Sequence, residues 1–244
     1  MTLLANWIDH RWEASSGSAK QQVLNPATDE LLVEVPMSTA EDVDKAVQCA
    51  QKALKGWRNT PVTERIQVMF RYKQLLEENF EIIARGITEE CGKTLDESRG
   101  ELRRGIENVE VACGAPLMIQ GYHNEDIAPG IDELMVRQPV GVCAIITPFN
   151  FPAMIPLWFL PYALVCGNTV VLKPSEKVPQ TLVKLLELLN QSGLPAGVAN
   201  LVHGGREAVD ALLEHPLVKA ISFVGSTQVA RYIYSKGAQH GKRV

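Results

Sequence analysis

No stretch of this chain is apolar for long enough to cross a bilayer; the longest candidate, 151–166, is broken by Pro152, Pro156 and Pro161. Basic tracts are missing as well. With a formal net charge of −4, neither nucleic acid nor an anionic membrane surface is an expected partner. The N-terminal residues include Asp9 and Glu13 and resemble neither a secretory signal nor an Arg-rich transit peptide. Cysteine is sparse and unpaired. Cys49, Cys91, Cys113, Cys143 and Cys166 are odd in number, widely spaced and without a C-x-x-C pair. That pattern argues against a disulfide framework and against a zinc site, and it points to a reducing, cytoplasmic setting. Cys113, Cys143 and Cys166 have apolar neighbours and read as small buried residues rather than nucleophiles. No internal repeat and no low-complexity tract is present.

What is present is organised around 140–176, VGVCAIITPFNFPAMIPLWFLPYALVCGNTVVLKPSE. This reads as an apolar strand, a Pro-punctuated apolar helix and a second apolar strand. Strands that are apolar throughout, rather than alternating, belong to a parallel sheet covered on both faces. Each ends in a short polar motif, Thr147-Pro148-Phe149-Asn150 and Lys173-Pro174-Ser175-Glu176. Ligands of open parallel sheets bind beyond the carboxyl ends of the strands, so these motifs are candidates for a nucleotide site.

From Val140 onward the alternation is regular. Strands are expected at 140–147, 169–173, 198–203 and 219–224, and helices at 152–166, 179–191, 206–214 and 227–237. Four consecutive strand–helix units imply a doubly wound, right-handed α/β domain. Before it, 1–37 reads as short strands and turns. Ser38-Thr39-Ala40-Glu41 fits a capping box between Ser38 and Glu41, opening a first helix. A second helix from about Pro61 carries Ile66, Met69, Phe70 and Leu76, and a third, Leu95 to Cys113, carries Leu102, Ile106 and Val109. The polar passage 119–138 reads as a linker or a protruding hairpin. The resulting division is an N-terminal layer of strands and helices (1–118), the linker or hairpin (119–139) and the βα repeats (140–244).

Each motif has a plain alternative. Phe223-Val224-Gly225-Ser226-Thr227 could hold a pyrophosphate at a helix N-terminus, but it lacks the third glycine of G-x-G-x-x-G and also fits an ordinary turn with an N-cap. Lys173 and Glu176 could be a surface ion pair. At a buried strand end, the carboxylate instead suits a ribose 2′-hydroxyl, the usual device for preferring NAD over NADP. Asn150, between Phe149 and Phe151, must be hydrogen-bonded in so apolar a setting; it is a satisfied turn residue, a helix N-cap ahead of Pro152, or an oxyanion-hole donor. His203 reads as a turn residue near the cofactor rather than a base. Arg103 and Arg104 default to a solvated helix face.

The combination of Pro148-Phe149-Asn150-Phe151-Pro152, Lys173-Pro174-Ser175-Glu176 and Phe223-Val224-Gly225-Ser226-Thr227 strongly resembles the aldehyde dehydrogenase superfamily. Within it the chain looks most like the CoA-acylating methylmalonate-semialdehyde dehydrogenases. That narrower likeness rests on Ala128-Pro129-Gly130-Ile131-Asp132, the run Arg137 to Cys143, Phe149 in place of Trp, Ala153 to Trp158, and Gly241-Lys242-Arg243-Val244. The resemblance implies a Rossmann-like NAD-binding domain with part of an oligomerisation hairpin at 119–139. It implies that Thr147 and Phe149 line the NAD site, that Lys173, Glu176 and Lys177 surround the adenosine ribose, and that Ser226 meets the pyrophosphate. Asn150 would be the oxyanion-hole amide, and Arg104 would bind the substrate carboxylate. The implied reaction uses CoA as co-substrate and turns malonate or methylmalonate semialdehyde into acetyl- or propionyl-CoA in a homo-oligomer; no metal is implied. Two departures stand out. Ala230 occupies a position commonly glycine, and none of the five cysteines matches the nucleophile of the superfamily. Residues 1–244 are therefore expected to be the cofactor half, without the catalytic domain and inactive alone. A non-acylating dehydrogenase and a truncated, non-catalytic nucleotide-binding or association protein are the alternatives.

Overall fold

A computed structural model describes residues 2–244. The chain opens with β1 (Asn6–Ile8), β2 (Arg11–Glu13), β3 (Lys20–Leu24) and β4 (Leu31–Pro36). Helices α1 (Ala40–Asn59), α2 (Val62–Glu78), α3 (Phe80–Cys91), α4 (Leu95–Cys113) and the short α5 (Ala115–Met118) follow. A hairpin of β5 (Tyr122–Ala128) and β6 (Ile131–Met135) then leads into the alternating part. That part comprises β7 (Val142–Ile146), α6 (Met154–Val165), β8 (Thr169–Lys173), α7 (Gln180–Gln191), β9 (Ala199–Leu201), α8 (Arg206–Glu214), β10 (Val218–Phe223) and α9 (Thr227–Gln239).

The main sheet has the order β10-β7-β8-β9-β1-β2. The first four strands are parallel, while β1 pairs antiparallel with β9 through Trp7 and Leu201 and extends the sheet to β2. The sheet is thus parallel at its centre with an antiparallel edge formed by the N-terminal strands. β7 shows why its residues had to be apolar on both sides. Val142, Ala144 and Ile146 belong to a core layer with Val43 and Val47 of α1, Leu212 of α8 and Ile233 of α9. Cys143 and Ile145 belong to the opposite layer, with Ile106 of α4, Leu157 of α6 and Leu185 of α7. Each fully buried aliphatic side chain in these layers contributes roughly 1.5–3 kcal/mol.

Several local expectations need correction. The N-cap of α1 is Thr39, not Ser38, and its partner is Asp42, which accepts the Thr39 amide proton at 3.1 Å. Asp42 also takes the Ser15 hydroxyl at 2.8 Å and the Ser16 amide, so the shorter acid ties the N-terminal loop to the helix. Ser38 turns inward and donates to Asn6 Oδ1 at 3.0 Å. α3 has no counterpart among the helices expected from the sequence. Phe70 is half exposed, because the buried face of α2 runs through Arg65, Ile66, Met69, Tyr72 and Leu76.

α4 and α6 cross closely at Gly105, where a Cβ would lie 2.7 Å from Leu157 Cδ1 and 3.5 Å from Met154 Cα. Both helices are committed to the core, so neither can withdraw freely. Gly105→Val is expected to lower the unfolding free energy by about 1–3 kcal/mol in urea denaturation. An unchanged midpoint would mean that α6 is not fixed by this crossing.

Candidate functional site

In the parallel region, β8 and β9 lie on one side of β7 and β10 lies on the other. The winding therefore reverses between β7 and β10, and in open sheets the crevice above such a reversal is where ligands bind. A cleft of about 610 Å³ occupies that place, within the usual range for a small-molecule site. The end of β7 contributes Thr147 and Phe149, the end of β8 contributes Lys173 and Glu176, and α9 contributes Gln228 and Tyr232.

The residues singled out from the sequence divide between this cleft and its surroundings. Thr147 is buried, and its amide donates to the Lys173 carbonyl at 3.1 Å, which sets the ends of β7 and β8 level. Lys173 is only 4% exposed, and its Nζ donates to Glu176 Oε2 at 2.9 Å. Burial opposes ionisation of Glu176, but the adjacent Lys173 ammonium and the hydrogen bonds outweigh it, so the carboxyl stays below its ordinary range. Phe149 is exposed, with Lys177 Nζ 5.0 Å from its ring centre. Lys177 itself stands just outside the cleft. Ser226 is the N-cap of α9, and its carbonyl accepts the Ala230 amide at 2.8 Å, leaving the first amides of the helix free to meet an anion. Gly225 leaves room for the ring of Phe223, a cleft residue, which a Cβ there would push aside.

Asn150 and Arg104 do not line the cleft. Asn150 is exposed, which corrects the expectation of an apolar setting, since its aromatic neighbours flank a surface turn. Its backbone carbonyl accepts from Lys93 Nζ at 2.7 Å. The Arg104 guanidinium sits 5.6 Å from the Phe151 ring centre, on the patch that carries Asn150, with no carboxylate partner among the described residues. Arg103, by contrast, is engaged by both oxygens of Glu77, at 2.7 and 2.9 Å. His203 is fully buried and does not line the cleft. No hydrogen bond of good geometry reaches either ring nitrogen, and burial pushes its pKa down to about 3. It is a neutral core residue rather than a turn residue at the ligand.

Sequence reasoning passed over the α9 wall of the cleft. Gln228, Val229, Tyr232 and Ile233 recur at helical spacing on α9, a stripe that could have been read. Tyr232 is held by Asp210, which accepts its hydroxyl at 2.5 Å, and by Arg206 5.1 Å from its ring. Glu90 and Glu101 were also missed, although each puts an acid on an apolar helix face. Both are buried, and each caps the helix that follows a site loop. Glu90 accepts the amides of Gln180 and Thr181 at 2.8 Å each, and Glu101 those of Ala153 and Met154 at 2.8 and 3.1 Å.

Glu90 carries a consequence for stability. Burial pushes its pKa from 4.5 up to about 7 against the opposing hydrogen bonds from Thr181 and Gln180, with the Glu101 carboxylate adding repulsion. Between pH 4.5 and 7 the folded chain therefore keeps a proton that the unfolded chain releases, and this group's contribution falls as pH rises. His203 acts in the opposite direction between pH 3 and 6.5, so the two partly cancel in the unsubstituted chain. Glu90→Gln isolates the effect. Its stability relative to the unsubstituted chain is expected to improve by roughly 3 kcal/mol from pH 4.5 to 7, measured by denaturation at each pH. A difference that does not drift with pH would contradict a buried, reluctant carboxylate.

The fold and cleft together define an open, doubly wound parallel sheet with a small-molecule-sized cleft at its switch point. A family model described as the aldehyde dehydrogenase family matches residues 12–244. The chain belongs to that family. It is 52% identical over 241 residues to the malonate-semialdehyde dehydrogenase of Halalkalibacterium halodurans, covering 99% of this chain and 50% of that one. The Pseudomonas aeruginosa malonate-semialdehyde dehydrogenase is 50% identical over 244 residues, with 100% and 49% covered. Among solved structures, the methylmalonate-semialdehyde dehydrogenase of Oceanimonas doudoroffii superposes with a TM-score of 0.97 at 49% identity, over 100% of this chain and 50% of that one. A Sinorhizobium meliloti protein assigned the same activity, solved with NAD, gives 0.97 at 42% identity over the same shares. The chain spans about half the length of the curated relatives it matches.

Proposed function

We propose that residues 1–244 form the NAD-binding part of a CoA-acylating malonate- or methylmalonate-semialdehyde dehydrogenase. The observation that carries this reading is the pair of buried Lys173 and half-buried Glu176 at the end of β8, 2.9 Å apart in the switch-point cleft. A fixed carboxylate there suits the hydroxyls of an adenosine ribose and disfavours an added phosphate. Thr147 and Phe149 line the cofactor's path, Lys177 stands beside the ribose, and Ser226 with the free amides of α9 receives the pyrophosphate. Bound NAD supplies the hydride acceptor.

The patch that carries Asn150 is the substrate side. The Asn150 side-chain amide donates to the aldehyde oxygen as negative charge develops on it, and Arg104 pairs with the substrate carboxylate. None of the five thiols is suited to attack. Burial raises the pKa of each, to about 11 for Cys143 and Cys49, and no cysteine lines the cleft. The nucleophilic thiolate is supplied from outside residues 1–244. The overall reaction converts malonate semialdehyde, CoA and NAD into acetyl-CoA, carbon dioxide and NADH, in a cytoplasmic homo-oligomer whose contacts include the 119–139 hairpin.

Product analysis tests the reading. Enzyme carrying these residues, given malonate semialdehyde, NAD and CoA, is expected to form acetyl-CoA detectable by mass spectrometry. Release of the free acid with CoA unconsumed would replace the acylating reading with a non-acylating one.

A further inference from the structure

Asn150 has no side-chain hydrogen bond of its own among the described residues, yet an oxyanion donor must be held in place before the reaction. What holds it lies in the backbone around it. Glu101, on α4, is fully buried. One of its oxygens accepts the amides of Ala153 and Met154, and the other accepts Lys93 Nζ at 2.6 Å. The same ammonium donates to the Asn150 carbonyl at 2.7 Å and lies 4.4 Å from the Phe151 ring centre. Residues 150–154 are therefore gripped at successive points: a carbonyl, a ring and two amides. Pro152, in the middle, has no amide to offer and restricts Phe151 before it.

We propose that Lys93 and Glu101 are positioning residues for Asn150, acting on the reaction through it without touching substrate or cofactor. The proposal rests on the reading of Asn150 as the oxyanion donor. Lys93 sits where α3 gives way to α4, and Glu101 lies two turns along α4, so the helical layer fixes the geometry of a loop that belongs to the sheet. The ion pair is an anchored one: Lys93 is 15% exposed and Glu101 0%, so little solvent screening loosens it.

The test is a double-mutant cycle in kcat, in enzyme carrying these residues with NAD and malonate semialdehyde. Lys93→Met is expected to lower kcat by roughly ten- to a hundredfold, the cost of a misplaced catalytic group, with KM for the aldehyde within about twofold. Introduced on Asn150→Ala, the same change is expected to cost almost nothing further, because the group it positions is gone. Should Lys93→Met fail to melt cooperatively, Glu101→Gln takes its place. It keeps one oxygen for the Ala153 and Met154 amides, turns a donor toward Lys93, and is expected to reproduce the kcat loss. Equal losses from the Lys93 change in both backgrounds would overturn the proposal, as would full kcat in the Lys93 variant beside a crippled Asn150→Ala. An unimpaired Asn150→Ala would instead sink the oxyanion reading itself.

Discussion

Lys173→Met is expected to weaken NAD binding by about ten- to a hundredfold, the equivalent of losing one charge-assisted hydrogen bond. Two losses combine. The ammonium that lines the cleft is gone, and so is the cation that favours the ionised form of Glu176 against partial burial. Without it, Glu176 also loses the 2.9 Å contact that fixes its carboxylate at the strand end. Methionine preserves the volume and apolar stem of the side chain, and the Thr147 amide still bonds to the residue 173 carbonyl, so strand β8 should keep its register. A calorimetric titration of folded variant and unsubstituted chain measures the effect. Equal dissociation constants would remove Lys173 from the cofactor site.

Asn150→Ala is expected to lower kcat by about a hundred- to a thousandfold, the usual cost of deleting one oxyanion donor. The NAD dissociation constant should barely move, since Asn150 does not line the cleft. Stability should also change little, because the side chain is exposed and carries no structural hydrogen bond, while its carbonyl contact with Lys93 belongs to the backbone. A drop in NAD affinity without a drop in kcat would move Asn150 from the reacting centre to the cofactor.

The parallel core was legible because its strands cannot be anything else. Val142 to Ile146 and Thr169 to Lys173 are buried on both faces, and the breaks between them fall at Gly and Pro. Helix 206–214 and strand 169–173 were placed with the bounds the structure has. α3 escaped notice because it follows α2 across the single residue Asn79, which serves both as C-cap of one and N-cap of the next, with no side-chain cap bond to announce it. The antiparallel edge escaped for a different reason: the Trp7–Leu201 pairing spans most of the chain, and local pattern carries no trace of it. At the site, Lys173 and Glu176 could be read because they stand three positions apart on one short loop. Lys93, Glu101 and Asn150 could not, since tertiary packing alone brings α3, α4 and the β7 loop together. Asn150 was further disguised by its neighbours, whose aromatic letters suggest a core while Phe149 stands half in solvent.

The central claim, that the switch-point cleft of residues 1–244 is an NAD site selective through Glu176, is tested most directly by calorimetric titration of this chain with NAD and with NADP. Saturable binding of one NAD per chain is expected, with NADP at least about tenfold weaker because its extra phosphate meets the Glu176 carboxylate. No binding of NAD, or equal binding of the two, would contradict the claim.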